Sequence, residues 1–345
     1  MRLMEKISNG GVYCIAEMSG NHAGDLDYAL EIVRAAADAG ADCLKTQTYT
    51  ADSITLDCDG DDFQISSGLW KGRTLYELYS EAHTPFEWQP IIKQECDRLG
   101  IDFLTSVFDF SSVDYLESIG VEAYKIASPE LVDIPLIEKA ASTGKPMIIS
   151  TGLGTLDEIR DAVEACRSVG NKSVVLLKCT AEYPAKFEDM NLATIPDMAE
   201  RFGIPVGLSD HSLGFAADVA AVALGARVVE KHFCITREHE SVDSAFSMDR
   251  DEFAAMVKAV DEASKAIGCV TYERSELEEV NAQWRRSLYA SKDIKMGETF
   301  SLENCKSVRP AHGLAPKYLA QLLGSCARRD ISFGTPIMPE DLQNG

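Results

Sequence analysis

The amino-acid sequence predicts an α/β protein: a (β/α)8 TIM barrel followed by a small second domain. Three observations predict it. Eight short apolar runs alternate with amphipathic stretches from residue 12 to about 267, and that alternation implies parallel strands with crossover helices. Eight such units over about 250 residues match the size of a closed barrel. The first run ends in Glu17-Met18-Ser19-Gly20-Asn21-His22 and not in the glycine-rich phosphate loop expected of an open doubly wound sheet.

The candidate strands are VYCIA (12–16), DCLKTQ (42–47), DFLTSV (102–107), EAYKIA (122–127), PMIIST (146–151), SVVLLKC (173–179), IPVGLS (204–209) and RVVEKHF (227–233). Each is rich in β-branched or bulky apolar residues and runs into a polar or glycine-bearing turn. Helical patterns lie between them. Residues 25–40 begin acidic, carry apolar residues at three- and four-residue spacing and stop at Gly40, as helix start and stop signals require. Residues 84–100 end at Gly100. Residues 155–170 open with Thr155 and, three positions later, Glu158, a capping-box pattern. Residues 215–225 are nearly all apolar, so that helix is expected to be deeply packed. The acidic run 57–62 reads as a solvated loop.

Beyond residue 268 the pattern changes. Residues 269–286 read as a charged helical linker. Residues 287–345 carry short strands broken by glycine and proline, so a separate small domain is expected, too small to be robust alone. The barrel domain is thus assigned to residues 1–268.

Formal net charge is −22, which argues against nucleic acid, whose phosphates such a surface repels. A small anionic substrate remains possible where positive charge is concentrated locally. No apolar run approaches the length of a membrane span, and the first residues lack the apolar centre of a secretory signal, so a cytoplasmic protein is expected. The ten cysteines form no C-x-x-C pair; several sit in apolar segments and are expected to be reduced and structural.

In a parallel barrel the chemistry stands at the C-terminal strand ends. There the sequence offers Glu17, Asn21 and His22; Lys45 and Gln47; Ser106; Lys125, Ser128 and Glu130; Ser150 and Thr151; Thr180 and Tyr183; Ser209, Asp210 and His211; and Glu230, Lys231 and His232. Lys45, Lys125, Ser128, Ser150 and Ser209 suit a cradle for a phosphate and a carboxylate, lysine giving charge and serine short hydrogen bonds. His211 and His232 fall at adjacent strand ends and could share one divalent metal ion with open water positions, Mn²⁺ or a similar ion. Glu130 is a candidate for a proton-handling or substrate-ordering role, with His22 as a second proton carrier.

The motifs IAEMSGNHAGDL, LKTQTYT, FLTSVFD, YKIASPE, IISTGL, LKCTAEYPA, GLSDHSLG and VEKHF resemble those of the sialic acid synthase family over nearly the whole chain. KSVRPAHGL and ISFGTPI are similar to that family's antifreeze-like (SAF) domain. SGNH, QTYTADSIT, GLWKGRTLYELYSEAHTPFEW and SPELVDIPLI resemble the pseudaminic acid branch, and Ala181-Glu182 stand where the neuraminate type tends to carry asparagine. The resemblance implies a metal-dependent condensation of phosphoenolpyruvate with an amino-sugar aldehyde, releasing phosphate by C–O cleavage. The metal would be Mn²⁺, Mg²⁺ or Co²⁺ on His211 and His232. Lys45, Ser106, Lys125, Ser128, Ser150 and Ser209 would contact phosphoenolpyruvate, and Glu17, Gln47, Tyr183 and Asp243 would surround the sugar. Arg309 would reach a partner subunit's site and touch an N-acyl group, which implies a domain-swapped homodimer. The alternatives are a neuraminate or legionaminate acceptor, another metal-dependent barrel aldolase, or a carbohydrate- or ice-binding module.

Overall fold

The computed structural model describes residues 2–342. The chain divides into two compact units, Met1–Gly268 and Cys269–Gly345.

The first unit is a closed parallel barrel in sequential strand order, with the eighth strand pairing the first. Its strands are β1 Tyr13–Glu17, β2 Cys43–Thr48, β3 Asp102–Val107, β4 Tyr124–Ile126, β5 Met147–Ser150, β6 Val174–Cys179, β7 Val206–Asp210 and β8 Val228–His232. Each lies within two residues of its expected place. Buried on both faces, such strands read as continuous apolar runs, which is why the sequence exposes them so plainly.

Alternation of side chains across each strand divides the barrel interior into levels. The lower level is hydrocarbon: Tyr13, Ile15, Cys43, Leu104, Ala123, Ile148, Val175, Leu177 and Val228 form one cluster, closed by Leu3 and Ile7 of the short helix Leu3–Ser8. Two residues further along their strands, at the same inward phase, stand Glu17, Lys45, Ser106, Lys125, Ser150, Cys179 and Glu230, all buried. Ser209 follows Gly207 in the same way. A Cβ on Gly207 would meet the Val228 carbonyl oxygen at 2.4 Å, so only glycine lets β7 and β8 approach this closely there. The barrel is therefore an apolar plug carrying a polar floor.

Between strands and helices a second, larger apolar layer includes Ile32, Val33, Ile92, Leu136, Ile159, Val163, Ile195 and Phe253. Helix Leu26–Asp38 starts where Asp25 accepts from the backbone N–H of Asp27. Helix Leu156–Ser168 starts at the Thr155/Glu158 capping box, as the sequence predicts. Residues 84–100 form a 3-10 turn, Phe86–Trp88, running into helix Gln89–Leu99.

Helix Ala216–Ala223 departs from expectation. Ala216, Ala220 and Ala223 are exposed and only one face is buried. Alanine is small enough to sit on either side, so composition did not fix the face. The inward face instead carries a fully buried Asp218.

The second unit holds the antiparallel pair β9 Ser287–Ala290 and β10 Cys305–Val308. Isolated bridges such as Ile294↔Ile331 and Thr299↔Cys326 extend it around a small core of Leu288, Ile294, Phe300, Leu322 and Ile337. Residues 269–286 are less helical than expected: helix there is confined to Glu276–Asn281, capped by Ser275, and one 3-10 turn, Ala282–Trp284. A chain this charged has no apolar stripe to pin a longer helix down. Among the described residues no helix is long and apolar enough to cross a membrane.

Candidate active site

The polar floor is one connected network. Lys45 Nζ lies 2.9 Å from Glu17 Oε2 and 3.4 Å from Glu230 Oε1, and it donates to Ser106 Oγ at 3.3 Å. Lys125 Nζ donates to Ser150 Oγ at 2.6 Å and to the Ile126 carbonyl at 3.0 Å, and lies 3.9 Å from Glu230 Oε1. Ser209 Oγ donates to the same Glu230 oxygen at 3.1 Å. Ser128 Oγ accepts from the Gly152 N–H at 3.0 Å. That contact needs glycine, because a Cβ there would fall 2.7 Å from the Ser128 oxygen. Five of the six expected anion contacts therefore converge through Glu17 and Glu230, and Ser128 is held separately on Gly152. Glu230 ties both lysines together, a role the sequence reading did not assign. Its inward phase on β8, level with Lys45, was the available signal.

These charges stand almost wholly out of water, so each perturbs the next. Burial pushes Glu17 up to about 7, with Lys45 pulling the other way. Burial would also raise Glu230, but Lys125 and Lys45 outweigh it and hold Glu230 below the usual carboxylate range. Burial lowers Lys125, against the attraction of Glu230. The second oxygens of Glu17 and Glu230 are buried and accept no hydrogen bond; for Glu17 the 2.9 Å approach of Lys45 is ionic contact without hydrogen-bond alignment.

His211 and His232 stand beside this floor with ring centroids 5.3 Å apart. His211 Nδ1 is 3.0 Å from the Thr180 carbonyl oxygen. That carbonyl can only accept, so Nδ1 carries a proton and Nε2 is the nitrogen left for a ligand; burial would lower His211, but Cys179 and the Thr180 carbonyl outweigh it and hold it above the usual imidazole range. His232 Nδ1 is buried without any partner. Burial, followed by the charges of His211 and Lys45, holds His232 well below the usual imidazole range, so it is neutral and able to ligate. Two close imidazoles, each with a ring nitrogen that no protein group engages, fit a divalent cation. Among the described residues no group of three or more His, Cys, Asp or Glu is placed to enclose one, so any such ion would keep positions for water or substrate.

Lys231, which the sequence placed among the strand-end groups, points away from the floor. It sits outside the barrel wall, donating to Asp210 and, at 2.6 Å, to the Gly214 carbonyl, with Asp218 at 3.5 Å. Asp210 and Lys231 are register partners on β7 and β8 and immediately precede the two imidazoles, so this buried pair locks the strand ends that carry them.

A cavity of about 470 Å³ adjoins the floor through Gln47. Gln47, Glu130, Tyr183, His232 and Asp243 line it, all expected site residues. Gln47 Nε2 donates to Glu17 Oε1 at 2.8 Å and to Ser19 Oγ at 3.1 Å. Asp243 accepts from the Gly20 N–H at 3.1 Å. Burial pushes Glu130 up to about 7, and its Oε2 has no hydrogen-bond partner. Such a carboxyl sits where it can give or take a proton near neutrality. Tyr183 packs on His211 at 4.4 Å between ring centroids. Ser19 also lines the cavity and adopts a left-handed backbone, φ +47°, an uncommon conformation that marks a constrained position. The sequence reading also missed four aromatic lining residues, Tyr49, Trp70, Tyr79 and Phe108, and an aliphatic group that includes Ile54, Ile65 and Leu75.

One expected site residue stands apart from the cavity. His22 is fully buried, with Nδ1 accepting from the Gly24 N–H at 3.1 Å, Nε2 3.2 Å from Thr84 Oγ1, and its ring edge-on to Trp88. Burial lowers it to about 4. Both nitrogens are thus engaged, and His22 does not line the cavity. Arg309 lies in the second unit just after β10 and is exposed.

Comparison with known proteins agrees with this geometry. The chain is 49% identical over 96% of its length, and 97% of theirs, to a pseudaminic acid synthase of Campylobacter jejuni. It is 40% identical over 95% of its length, and 97% of theirs, to one of Helicobacter pylori. A crystal structure of N-acetylneuraminic acid synthetase from Leptospira borgpetersenii matches with TM-score 0.70 at 30% identity, covering 79% of this chain and 90% of that one. Residues 285–343 match the SAF domain and residues 32–272 match the NeuB family; the chain belongs to the NeuB family.

Proposed function

We propose that this chain is a pseudaminic acid synthase. It condenses phosphoenolpyruvate with 2,4-diacetamido-2,4,6-trideoxy-β-L-altropyranose, taking up water and releasing phosphate. The observation that carries this reading is the junction of a buried two-lysine, four-serine floor with a close pair of imidazoles beside a sugar-sized cavity. The named relatives support the choice of acceptor.

The floor takes phosphoenolpyruvate: Lys45 and Lys125 offset its charge against an acidic protein, and Ser106, Ser128, Ser150 and Ser209 give short hydrogen bonds. Gln47, Tyr183 and Asp243 hold sugar hydroxyls, and Glu17 orders Gln47. A divalent cation on His211 and His232 (Mn²⁺, Mg²⁺ or Co²⁺) would supply polarisation of the sugar's aldehyde oxygen. Carbon 3 of phosphoenolpyruvate forms the new bond to the aldehyde carbon. Water adds at carbon 2, and the C–O bond to phosphate then breaks. Glu130 moves the water's proton. Arg309 completes the site of a partner subunit by touching an N-acyl group, in a domain-swapped homodimer in the cytoplasm.

The test is turnover in ¹⁸O-labelled water with phosphoenolpyruvate and either the diacetamido sugar or N-acetylmannosamine. Label should enter the sugar acid and not the phosphate; label in phosphate would refute C–O cleavage. His211→Ala and His232→Ala should keep the fold by circular dichroism, lose the thermal shift produced by Mn²⁺ and lose turnover. Near-normal turnover in either variant would remove the ligand assignment.

A further inference from the structure

The cavity has two unlike walls. One carries the polar groups described above. The other comes from residues 49–82, the long excursion between β2 and helix Gln89–Leu99, and supplies Ile54, Ile65, Trp70, Leu75 and Tyr79. Apart from the phenols of Tyr49 and Tyr79, this wall presents hydrocarbon. Its outer part is a hairpin: Gln64 and Thr74 form an antiparallel bridge, and the Ile65 N–H donates to the Arg73 carbonyl at 2.9 Å. Trp70, near the hairpin tip, is tethered where its indole N–H donates to the Val242 carbonyl at 3.0 Å. Its ring lies 5.8 Å from that of Tyr183 and 6.4 Å from that of Phe246, and these two rings are the ones that cover His211 and His232.

We propose that this hairpin wall selects the acceptor by reading the end of the sugar chain remote from the aldehyde. With the reacting end at the imidazoles, the remote end lies against Trp70 and its neighbours. A terminal hydroxymethyl group packed on Trp70, Ile54, Ile65 and Leu75 would be buried without a partner, because the indole N–H is already spent on Val242 and the aliphatic side chains offer nothing. That burial is unfavourable. A terminal methyl and the methyl of a second N-acyl group match the hydrocarbon, and the Tyr79 phenol is placed to donate to the acyl oxygen. The wall therefore favours a deoxy, twice-N-acylated sugar over one ending in free hydroxyls. This rests on the condensing function proposed above and assigns its specificity to Trp70 and Tyr79.

The experiment compares kcat and KM for the diacetamido-trideoxy sugar and for N-acetylmannosamine, at saturating phosphoenolpyruvate, in wild type, Trp70→Ala, Trp70→Phe and Tyr79→Phe. Wild type should prefer the diacetamido sugar by about 100-fold or more. Trp70→Ala should cut that preference at least about 10-fold through the KM of the diacetamido sugar, while the KM for phosphoenolpyruvate moves less than about threefold. Tyr79→Phe should cost about 10-fold on the diacetamido sugar alone. Trp70→Phe keeps a ring but loses the tether, and its selectivity should fall between wild type and Trp70→Ala; with Tyr79→Phe it carries the test if Trp70→Ala does not fold. An unchanged preference across the folded variants, with both sugars falling together, would overturn the inference and leave the functional reading intact. Wild-type turnover of N-acetylmannosamine alone would overturn both.

Discussion

The barrel holds two buried ionic clusters back to back, built from neighbouring residues of the same strands. Inside, Glu17, Lys45, Lys125 and Glu230 line the floor; outside, Asp210, Lys231 and Asp218 lie between β7, β8 and helix Ala216–Ala223. Ser209 and Glu230 face in, while Asp210 and Lys231, one position later, face out. The inner cluster is one hydrogen bond from the cavity, through Gln47, which lines it and donates to Glu17; both clusters leave carboxylate oxygens without hydrogen bonds, Glu17 and Glu230 inside and Asp218 outside. In the outer cluster Lys231 is held by Asp210, the Gly214 carbonyl and Asp218, with side-chain exposures of 2% or less. Burying ions costs several kcal/mol each, and the pairing rarely returns more than that. The comparison therefore separates two reasons for tolerating the cost. The outer cluster fixes two strands in register; the inner one keeps incompletely used charge ready for a ligand.

Single substitutions can break that distinction, beginning with the largest expected effect. Lys231→Met strands the buried Asp210, and breaking such a pair should cost about 3–5 kcal/mol of stability by denaturant titration. Turnover per folded molecule should change far less. Lys125→Met should do the reverse. Losing one side of a charged contact with substrate should lower kcat/KM by about 2–5 kcal/mol, roughly 30- to 5,000-fold. Its stability loss should be smaller than that of Lys231→Met, because Glu230 keeps Lys45 and Ser209. If the two methionine variants gave the same ratio of lost stability to lost activity, the clusters would not differ in kind.

The sequence exposed what depends on period and position. All eight strands, the Thr155 cap and the inward lysines follow from runs of apolar residues and from the strand-end rule. Three things escaped. The outward phase of Lys231 was hidden because a strand buried on both faces has no polar side to reveal its alternation. His22 looked chemical because histidine at a strand end usually meets water, yet Thr84 and Gly24 occupy both its nitrogens. The hairpin wall was unreadable because residues 55–74 have no hydrophobic period; Trp70 gains its place from one hydrogen bond to a residue 172 positions away, which no local pattern encodes.

The smallest expected effect probes the weak member of the outer cluster. Lys231 reaches Asp218 only at 3.5 Å, and neither Asp218 oxygen accepts a hydrogen bond. Burial, reinforced by Asp210 and opposed by Lys231, pushes Asp218 up to about 8. The folded protein thus binds this proton more tightly than the unfolded chain, whose aspartates titrate near 4. By linkage the contribution to stability is complete at acid pH and is lost as pH rises from about 4 towards about 8. Asp218→Asn cannot ionise and escapes that loss. It should match wild type near pH 4 and exceed it by a margin that widens as pH rises towards 8, read as a growing gap in Tm. A gap that stays constant from pH 5 to 9 would mean that Asp218 is ionised throughout. The outer cluster would then be as strained as the inner one, and the contrast between a sealed clamp and an open floor would rest on Lys231 alone.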